Sequence, residues 1–158
     1  MKSMVIYDSQ YGNTEKLARG IGEVLGKQGE VTILKVGEAQ PEMLTGMDLV
    51  VIGSPTQQFR ATAPMRVFLK SIPKDSLKGT RAAAFDTRLT QAFIDKNPPL
   101  PFFERIFGYA AERLAKALKQ KGGQLVVPAE AFYVEGMEGP LSEGEQQRAK
   151  DWAQKLFA

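Results

Sequence analysis

A short polar loop between a predicted strand and a predicted helix contains the residue types that bind a phosphate group. It reads Ser9-Gln10-Tyr11-Gly12-Asn13-Thr14. Backbone N–H groups at a helix N-terminus attract an anion, and the helix dipole adds to that attraction. Gly12 lets the backbone approach closely, and the hydroxyls of Ser9 and Thr14 can donate hydrogen bonds. The loop contains no lysine or arginine, so neutral dipoles would hold the phosphate, as suits a permanently bound monoester rather than a transferred phosphoryl group.

Two further polar segments follow predicted strands and belong at the same edge of a sheet. Residues 54–59 follow the apolar strand 49–52, and Asp86-Thr87-Arg88 follows the strand 82–85. In open parallel sheets, ligands bind outside the carboxyl ends of the strands. The predicted ligand loops are therefore 9–14, 54–63 and 86–101.

The absence of cysteine and histidine excludes several kinds of chemistry. Thiolate nucleophiles, disulfides and imidazole acid–base catalysis are excluded, as are thiolate and imidazole metal ligands. Redox chemistry would need a bound cofactor. Asp8 and Asp86 both end strands, and we interpret them as strand-end or capping residues. We therefore predict no catalytic side chain and no metal site.

Strands and helices alternate five times along the chain, without a linker, repeat or low-complexity segment. This alternation predicts an α/β fold in which helices cover both faces of a parallel sheet. Hydrophobic residues make up 43% and charged residues 25% of the chain, which is ordinary for a globular protein. We expect one domain spanning residues 1–158.

Local patterns predict how several elements begin and end. Asn13 is a predicted helix N-cap, and Ser142 with Glu145 has the spacing of a capping box for the last helix. A fifth strand is predicted on either side of Pro128. One long helix is predicted after the third ligand loop. Its apolar stripe consists of Phe103, Ile106, Phe107, Ala110, Leu114 and Leu118.

Two segments resemble a known family. Residues 7–18 read Tyr-Asp-Ser-Gln-Tyr-Gly-Asn-Thr-Glu-Lys-Leu-Ala. They resemble the FMN phosphate loop of flavodoxins, whose pattern is Ser/Thr-x-Ser/Thr-Gly-Asn-Thr. Tyr11 departs from it, because Ser or Thr is commoner there. Gly-Ser-Pro-Thr at 53–56, followed by Pro-Met-Arg-Val-Phe-Leu at 64–69, resembles the loop after strand three of flavodoxins and related FMN-dependent quinone reductases.

The resemblance implies a flavodoxin-like three-layer fold with a five-stranded parallel sheet in the order 2-1-3-4-5. It also implies FMN as the cofactor. The cofactor-binding residues implied in this way are Ser9, Gln10, Tyr11, Gly12, Asn13, Thr14, Ser54, Pro55, Thr56, Gln57, Gln58, Phe59, Asp86, Thr87 and Arg88.

The implied roles divide FMN among the three loops. The first loop holds the phosphate, and residues 54–56 support one edge of the isoalloxazine ring. The peptides of 57–58 lie near the flavin N5, and residues 86–88 lie at the pyrimidine end.

Phe59 is a candidate for stacking on the ring, with Phe93 as a second candidate. Arg60 and Arg88 are either surface arginines or partners of negative charge. Stacking contributes about 0.5–1.5 kcal/mol beyond area burial. Trp152 and Tyr109 lie on helical stripes and are predicted to be core residues.

The chain carries 21 basic and 18 acidic residues, for a net charge of +3. We interpret this as a mixed, solvated surface. It lacks the dense basic blocks typical of nucleic-acid binding, so no nucleic-acid partner is predicted. No run approaches the roughly 20 apolar residues needed to span a membrane. We expect a cytoplasmic protein without membrane insertion.

Three functions fit these observations, and the first is favoured. An electron carrier would dock a redox partner protein over the flavin edge. An FMN-dependent NAD(P)H:quinone-type oxidoreductase would instead reduce a small quinone-like acceptor, and segment 89–107 could then form a homo-oligomer interface. A flavin-free binding module is the third alternative, because fold alone does not fix function. The basic charge argues for a different partner set from that of conventional flavodoxins, which are acidic and dock on basic partners.

Overall fold

A parallel sheet lies at the centre of the computed structural model, which describes residues 1–158 apart from the side chains of Ile106 and Phe107. The strands are β1 (Lys2–Tyr7), β2 (Glu30–Lys35), β3 (Leu49–Pro55), β4 (Arg81–Leu89), β5 (Gln124–Leu125) and β6 (Glu130–Val134). The helices are α1 (Asn13–Gly26), α2 (Ala63–Ser71), α3 (Gln91–Lys96), α4 (Leu100–Phe107), α5 (Ala110–Gln120) and α6 (Glu145–Gln154). None of the helices described is long and apolar enough to cross a membrane.

The strand order confirms the predicted 2-1-3-4-5 arrangement. Neighbouring strands follow the order β2-β1-β3-β4-β5, and every pairing is parallel. β5 pairs with the start of β4 and β6 pairs with its end, from Phe85 to Leu89. The fifth strand is thus interrupted around Pro128, as the sequence predicts. This order places the ends of β1, β3 and β4 side by side at one edge.

Two hydrophobic layers, one on each face, hold the sheet between the helices. Along β3, Val50 and Ile52 face the layer that contains α2 and α5, whereas Leu49 and Val51 face the layer that contains α1 and α6. This alternation follows the period of two in a strand, and burial on both faces is typical of parallel sheets. Trp152 is buried in the second layer, which confirms its predicted core position.

The segment after β4 differs most from expectation. β4 continues past Phe85 to Leu89, because its end pairs with β6. Residues predicted as a loop before Pro101 form α3 and the start of α4. The prediction of a single long helix is wrong, because α4 and α5 are separate helices. Gly108, which lies between them, has a φ of 68°. That positive φ is incompatible with a continuing α-helix. Ile106 and Phe107, expected on the inner face, have side chains outside the described residues.

Both predicted capping arrangements are also wrong. Gly12, with a φ of 92°, is the N-cap of α1, and Gly144, with a φ of 83°, is the N-cap of α6. Neither helix has a side-chain cap, and among the described residues the Ser142 hydroxyl has no hydrogen-bond partner. The Glu145 carboxylate instead accepts the Tyr133 N–H at 2.8 Å, which ties α6 to β6. The Glu145 carboxylate therefore accepts a hydrogen bond from the distant strand β6, and not from the N-terminal backbone of its own helix as in a capping box.

Substitution of Gly53 tests how tightly the layer over β3 is packed. A Cβ atom at Gly53 would overlap the ring of Phe85, which packs against Phe132 and Trp152. We expect Gly53→Ala to lower the free energy of unfolding by about 1–3 kcal/mol, because the aromatic cluster must shift. Gly37→Ala is the control, since Gly37 has open space around it. It should change stability by less than about 0.5 kcal/mol in urea unfolding. Equal stability of the two variants would contradict the packing described.

Candidate functional site

The loops after β1, β3 and β4 line one cleft at the carboxyl edge of the sheet. Its volume is about 1200 Å³, somewhat above the roughly 300–1,000 Å³ of ordinary small-molecule pockets. Of the predicted cofactor-binding residues, all but Gly12, Ser54 and Asp86 line this cleft. The three ligand loops therefore come together, as expected from the strand order.

The first loop presents free backbone donors at the start of α1. The Ser9 hydroxyl accepts the N–H groups of Gly12 at 3.1 Å and Glu15 at 3.3 Å. Among the hydrogen bonds of the described residues, none uses the N–H of Asn13 or Thr14 as donor. Two adjacent N–H groups at the positive end of a 14-residue helix are thus available to an anion. Gly12 shapes this turn through its backbone and does not itself line the cleft.

A fourth loop, absent from the sequence prediction, closes one side of the cleft. The Asn13 side chain donates to the backbone carbonyl of Glu138 at 3.1 Å instead of capping α1. Gly139, with a φ of 108°, lets the two segments meet, because a Cβ there would overlap the Asn13 amide. Val134 and the exposed Met137 line the cleft on this side. The glycines and proline of 136–140 are the sequence signal that could have indicated this loop.

A pair of hydroxyls joins the first loop to β4. The Thr14 and Thr87 Oγ1 atoms lie 2.9 Å apart, and both residues are buried while lining the cleft. One hydroxyl donates to the other, so the accepting hydroxyl keeps its own proton for a further acceptor. This pair therefore adds a hydroxyl donor next to the free N–H groups of α1.

The loop after β3 ends in a tight hairpin at the mouth of the cleft. Gln57 and Arg60 exchange two backbone hydrogen bonds, at 2.7 and 3.0 Å. Gln58 and Phe59 between them have φ values of 49° and 65°. Two central residues with positive φ are the pattern of a type I′ turn, which costs more for residues other than glycine. The Gln57 side chain also donates to that of Gln10 at 2.6 Å, which links this hairpin to the first loop.

Ser54 positions the loop without lining the cleft. Its fully buried hydroxyl accepts the Thr62 N–H at 3.1 Å and donates to the Pro55 carbonyl at 3.0 Å. The Thr62 hydroxyl in turn donates to Asp8 at 2.6 Å. Asp8 and Ser54 therefore fix where β3 leaves the sheet and where α2 begins.

Asp86 is a buried junction beneath the cleft. Its side chain is 0% exposed and accepts two hydrogen bonds from Arg88, at 2.8 and 2.7 Å. It also accepts the Ala111 N–H at 2.8 Å and the Thr56 hydroxyl at 3.1 Å. Burial raises the pKa of Asp86, and the Arg88 guanidinium and the Ala111 N–H oppose that rise. For Arg88, burial lowers the pKa, but the charge of Asp86 outweighs it and raises the pKa overall.

Tyr109 lies in the cleft and not in the core, so its predicted position is wrong. It precedes α5, where the break after α4 turns it towards the loops. The Arg88 guanidinium stacks on its ring, with the carbon 3.7 Å from the centroid. Phe59 meets the same ring edge-on at 6.1 Å between centroids. Phe93, the second stacking candidate, does not line the cleft, and its neighbour Ile94 does.

The charges lining the cleft all have one sign. Four arginines line it, namely Arg60, Arg66, Arg88 and Arg113, and no aspartate or glutamate of the described residues does. Among the described residues, no cluster of carboxylates suits a metal ion. The cleft therefore combines an uncharged anion cradle, aromatic side chains and a basic rim. Such a combination can hold a phosphorylated, planar heteroaromatic molecule.

Comparisons with known proteins agree with this geometry. The protein-family model described as Flavodoxin matches residues 5–152. A flavodoxin from the domain Archaea superposes with a TM-score of 0.75 at 21% identity, covering 100% of both chains. Flavodoxin 1 from Bacillus cereus superposes with a TM-score of 0.78 at 18% identity, covering 99% of this chain and 97% of that one. No curated protein sequence matches significantly.

A larger protein also contains a similar unit. Rubredoxin oxygen:oxidoreductase from Desulfovibrio gigas superposes with a TM-score of 0.74 at 20% identity. The match covers 98% of this chain but only 35% of that protein. At these identities, the solved structures establish a shared fold.

Replacing Asp86 by asparagine tests whether this carboxylate holds the cleft together. Asp86→Asn leaves the Arg88 charge, whose side chain is only 11% exposed, without its principal partner. We expect the free energy of unfolding to fall by roughly 3–5 kcal/mol. Glu112→Gln makes the same chemical change at a carboxylate that is 63% exposed and 3.5 Å from Arg88. It should cost no more than about 1 kcal/mol. Urea unfolding measures both, and a loss of the same size in each would refute the role of Asp86.

Proposed function

The chain belongs to the flavodoxin family and is an FMN-binding electron-transfer protein, and we propose that the cleft between its three ligand loops is the FMN site. The observation that carries this assignment is the uncharged cradle at the start of α1, where residues that line the cleft carry two free N–H groups and neighbouring hydroxyls. When bound, FMN supplies a ring that takes up and returns electrons.

The first loop fits a phosphate monoester. The N–H groups of Asn13 and Thr14 can both donate to an anion, and the α1 dipole favours its negative charge. The Thr14–Thr87 hydroxyl pair offers a further donor. The Ser9 hydroxyl already accepts two N–H groups, so its own proton is free to donate to the phosphate. We assign phosphate binding to these groups, with Gln10 and Tyr11 lining the outer wall of the same loop.

The remaining loops fit the isoalloxazine ring. Pro55, Thr56 and the 57–60 hairpin form one wall of the cleft. Thr87 and Arg88 lie at the end of β4, where the ring's pyrimidine edge is expected. Because Asp86 fixes the Arg88 guanidinium, Arg88 presents an oriented donor and not a mobile charge. Phe59 and Tyr109 supply aromatic surface that excludes water beside the ring.

The redox partner, the oligomeric state and the cellular location of this protein stay predictions. Flavodoxins pass electrons to redox partner proteins, and we propose the same for this chain. A small quinone-like acceptor is the alternative, and the cleft volume of about 1200 Å³ is the observation that favours it. Steady-state oxidation of NADH or NADPH by a quinone would distinguish this enzyme from a carrier. Homo-oligomerisation through 89–107, a cytoplasmic location and a single domain over 1–158 likewise remain proposals.

Removing one hydroxyl from the cradle tests the assignment. Thr14 is 1% exposed, and its hydroxyl lies beside the free N–H groups. We expect Thr14→Ala to weaken FMN binding roughly tenfold or more, since a hydrogen bond to a charged group contributes about 1.5–3 kcal/mol. Riboflavin, which lacks the phosphate, should bind the wild-type protein and the Thr14→Ala variant with equal affinity. Thr14→Ser keeps the hydroxyl and is the matched control.

Fluorescence titration of the flavin-free protein measures all these dissociation constants. Equal weakening for FMN and riboflavin would place Thr14 at the ring or in the fold, against the proposed cradle. A wild-type protein that binds neither flavin would contradict the assignment of the whole cleft.

A further inference from the structure

Three arginines of the cleft, Arg60, Arg66 and Arg88, differ in whether the protein already neutralises their charge. Arg88 is paired with Asp86 and lies 3.5 Å from Glu112, so its charge is compensated. Arg60 and Arg66 have no ion pair with any residue that the structure describes. The Arg66 Nε donates to the Ala61 carbonyl at 3.1 Å, which holds the side chain at the cleft wall and leaves its terminal nitrogens to other acceptors.

No carboxylate of the described residues forms an ion pair with Arg60 or Arg66. Asp86 and Glu112 instead pair with Arg88, at 2.7 and 3.5 Å. Glu138 lies in the loop on the other side of the cleft, next to the first ligand loop. No acidic side chain among the described residues lines the cleft itself, so the charged side chains that line it are all arginines.

Exposed apolar side chains surround the same mouth. Tyr11 is 51% exposed and Met137 is 71% exposed, and both line the cleft. Phe103, also partly exposed, lines the opposite wall and meets Phe102 edge-on. Interfaces between proteins are enriched in Tyr, Phe, Met and Arg. An apolar mouth with two uncompensated arginines is therefore a surface suited to a protein with an acidic face.

We propose that this mouth, defined by Tyr11, Arg60, Arg66, Phe103 and Met137, docks a redox protein whose surface around its own redox centre is acidic. The inference rests on the proposed function, because it needs FMN in the cleft. Arg60 and Arg66 steer the acidic face towards the flavin edge, and the apolar side chains bury surface on contact. Reduced FMN in the cleft would supply one electron to the partner's oxidised centre, and no bond would be made or broken between the two proteins.

Two forms of one haem protein test the sign of this steering. Cytochrome c is basic, and its extensively succinylated derivative is acidic while keeping the same haem. The FMN-loaded protein is reduced, freed of reductant and mixed with each form in a stopped-flow instrument, where haem absorbance reports electron transfer. We expect the acidic form to react about tenfold faster at low ionic strength. That preference should disappear as salt rises to about 0.3 M, because salt screens exposed charges.

Substitutions identify the residues responsible. Removing both charges in Arg60→Gln/Arg66→Gln should abolish most of the preference for the acidic form. Arg60→Lys/Arg66→Lys keeps the charges and should preserve it. Arg81→Gln/Lys119→Gln removes two charges from the opposite edge, at the start of β4 and the end of α5. This control should behave like wild type. The FMN dissociation constant of each variant verifies that the cofactor is retained.

The possible outcomes distinguish failure of the docking inference from failure of the proposed FMN site. If FMN is retained but the basic form reacts faster, the docking inference is overturned and the FMN site stands. The same conclusion follows if Arg60→Gln/Arg66→Gln matches the Arg81→Gln/Lys119→Gln control. A wild-type protein that does not retain FMN contradicts the proposed function itself, and the docking inference with it.

Discussion

One buried carboxylate, that of Asp86, fixes the geometry on which the cleft depends. β4 carries Asp86 to the edge of the sheet, and the carboxylate then accepts hydrogen bonds from Arg88, Thr56 and the N–H of Ala111. These partners belong to β4, to the loop after β3 and to the start of α5. A buried charge without partners is unstable, so the three elements are held in one arrangement. The same ion pair orients Arg88 under Tyr109, which forms a wall of the cleft.

The elements that depend on local pattern could be predicted from the sequence. The buried strands, their order by resemblance and the position of the first loop between β1 and α1 all follow from apolar runs and from one motif. We propose that this loop binds phosphate through backbone N–H groups, and with Tyr11 in place of the usual Ser or Thr the two free donors of α1 remain. Segments set by distant contacts were missed. The Asn13–Glu138 hydrogen bond joins residues 125 positions apart, and no local pattern indicates it.

The break between α4 and α5 illustrates the same limit. An unbroken apolar stripe favours one helix, but Gly108 adopts a positive φ and turns Tyr109 into the cleft. Glu145 likewise bonds to β6 instead of completing a capping box, because the strand N–H lies within its reach. In both places, tertiary contacts outweigh local preference, and both affect the surroundings of the cleft.

The two ends of the cleft differ in whether their ligand-facing groups are charged. At the proposed phosphate end, an uncharged loop and a helix dipole would supply the attraction, which suits a ligand that stays bound. At the mouth, Arg60 and Arg66 have no carboxylate partner among the described residues, which suits a transient contact that forms and dissociates. Between them, Arg88 carries a compensated charge that can orient a ligand without adding to the outer field.

The central claim is that neutral donors at the start of α1 hold the phosphate of FMN as a dianion. The most direct measurement is the ³¹P NMR spectrum of the FMN-loaded protein as a function of pH. Hydrogen bonds to the dianion lower the pKa of the phosphate. The phosphate resonance should therefore stay unchanged between about pH 8 and about pH 5. Free phosphate monoesters, by contrast, titrate at about pH 6. A bound resonance that titrates like free FMN would contradict the claim, as would loss of FMN during gel filtration.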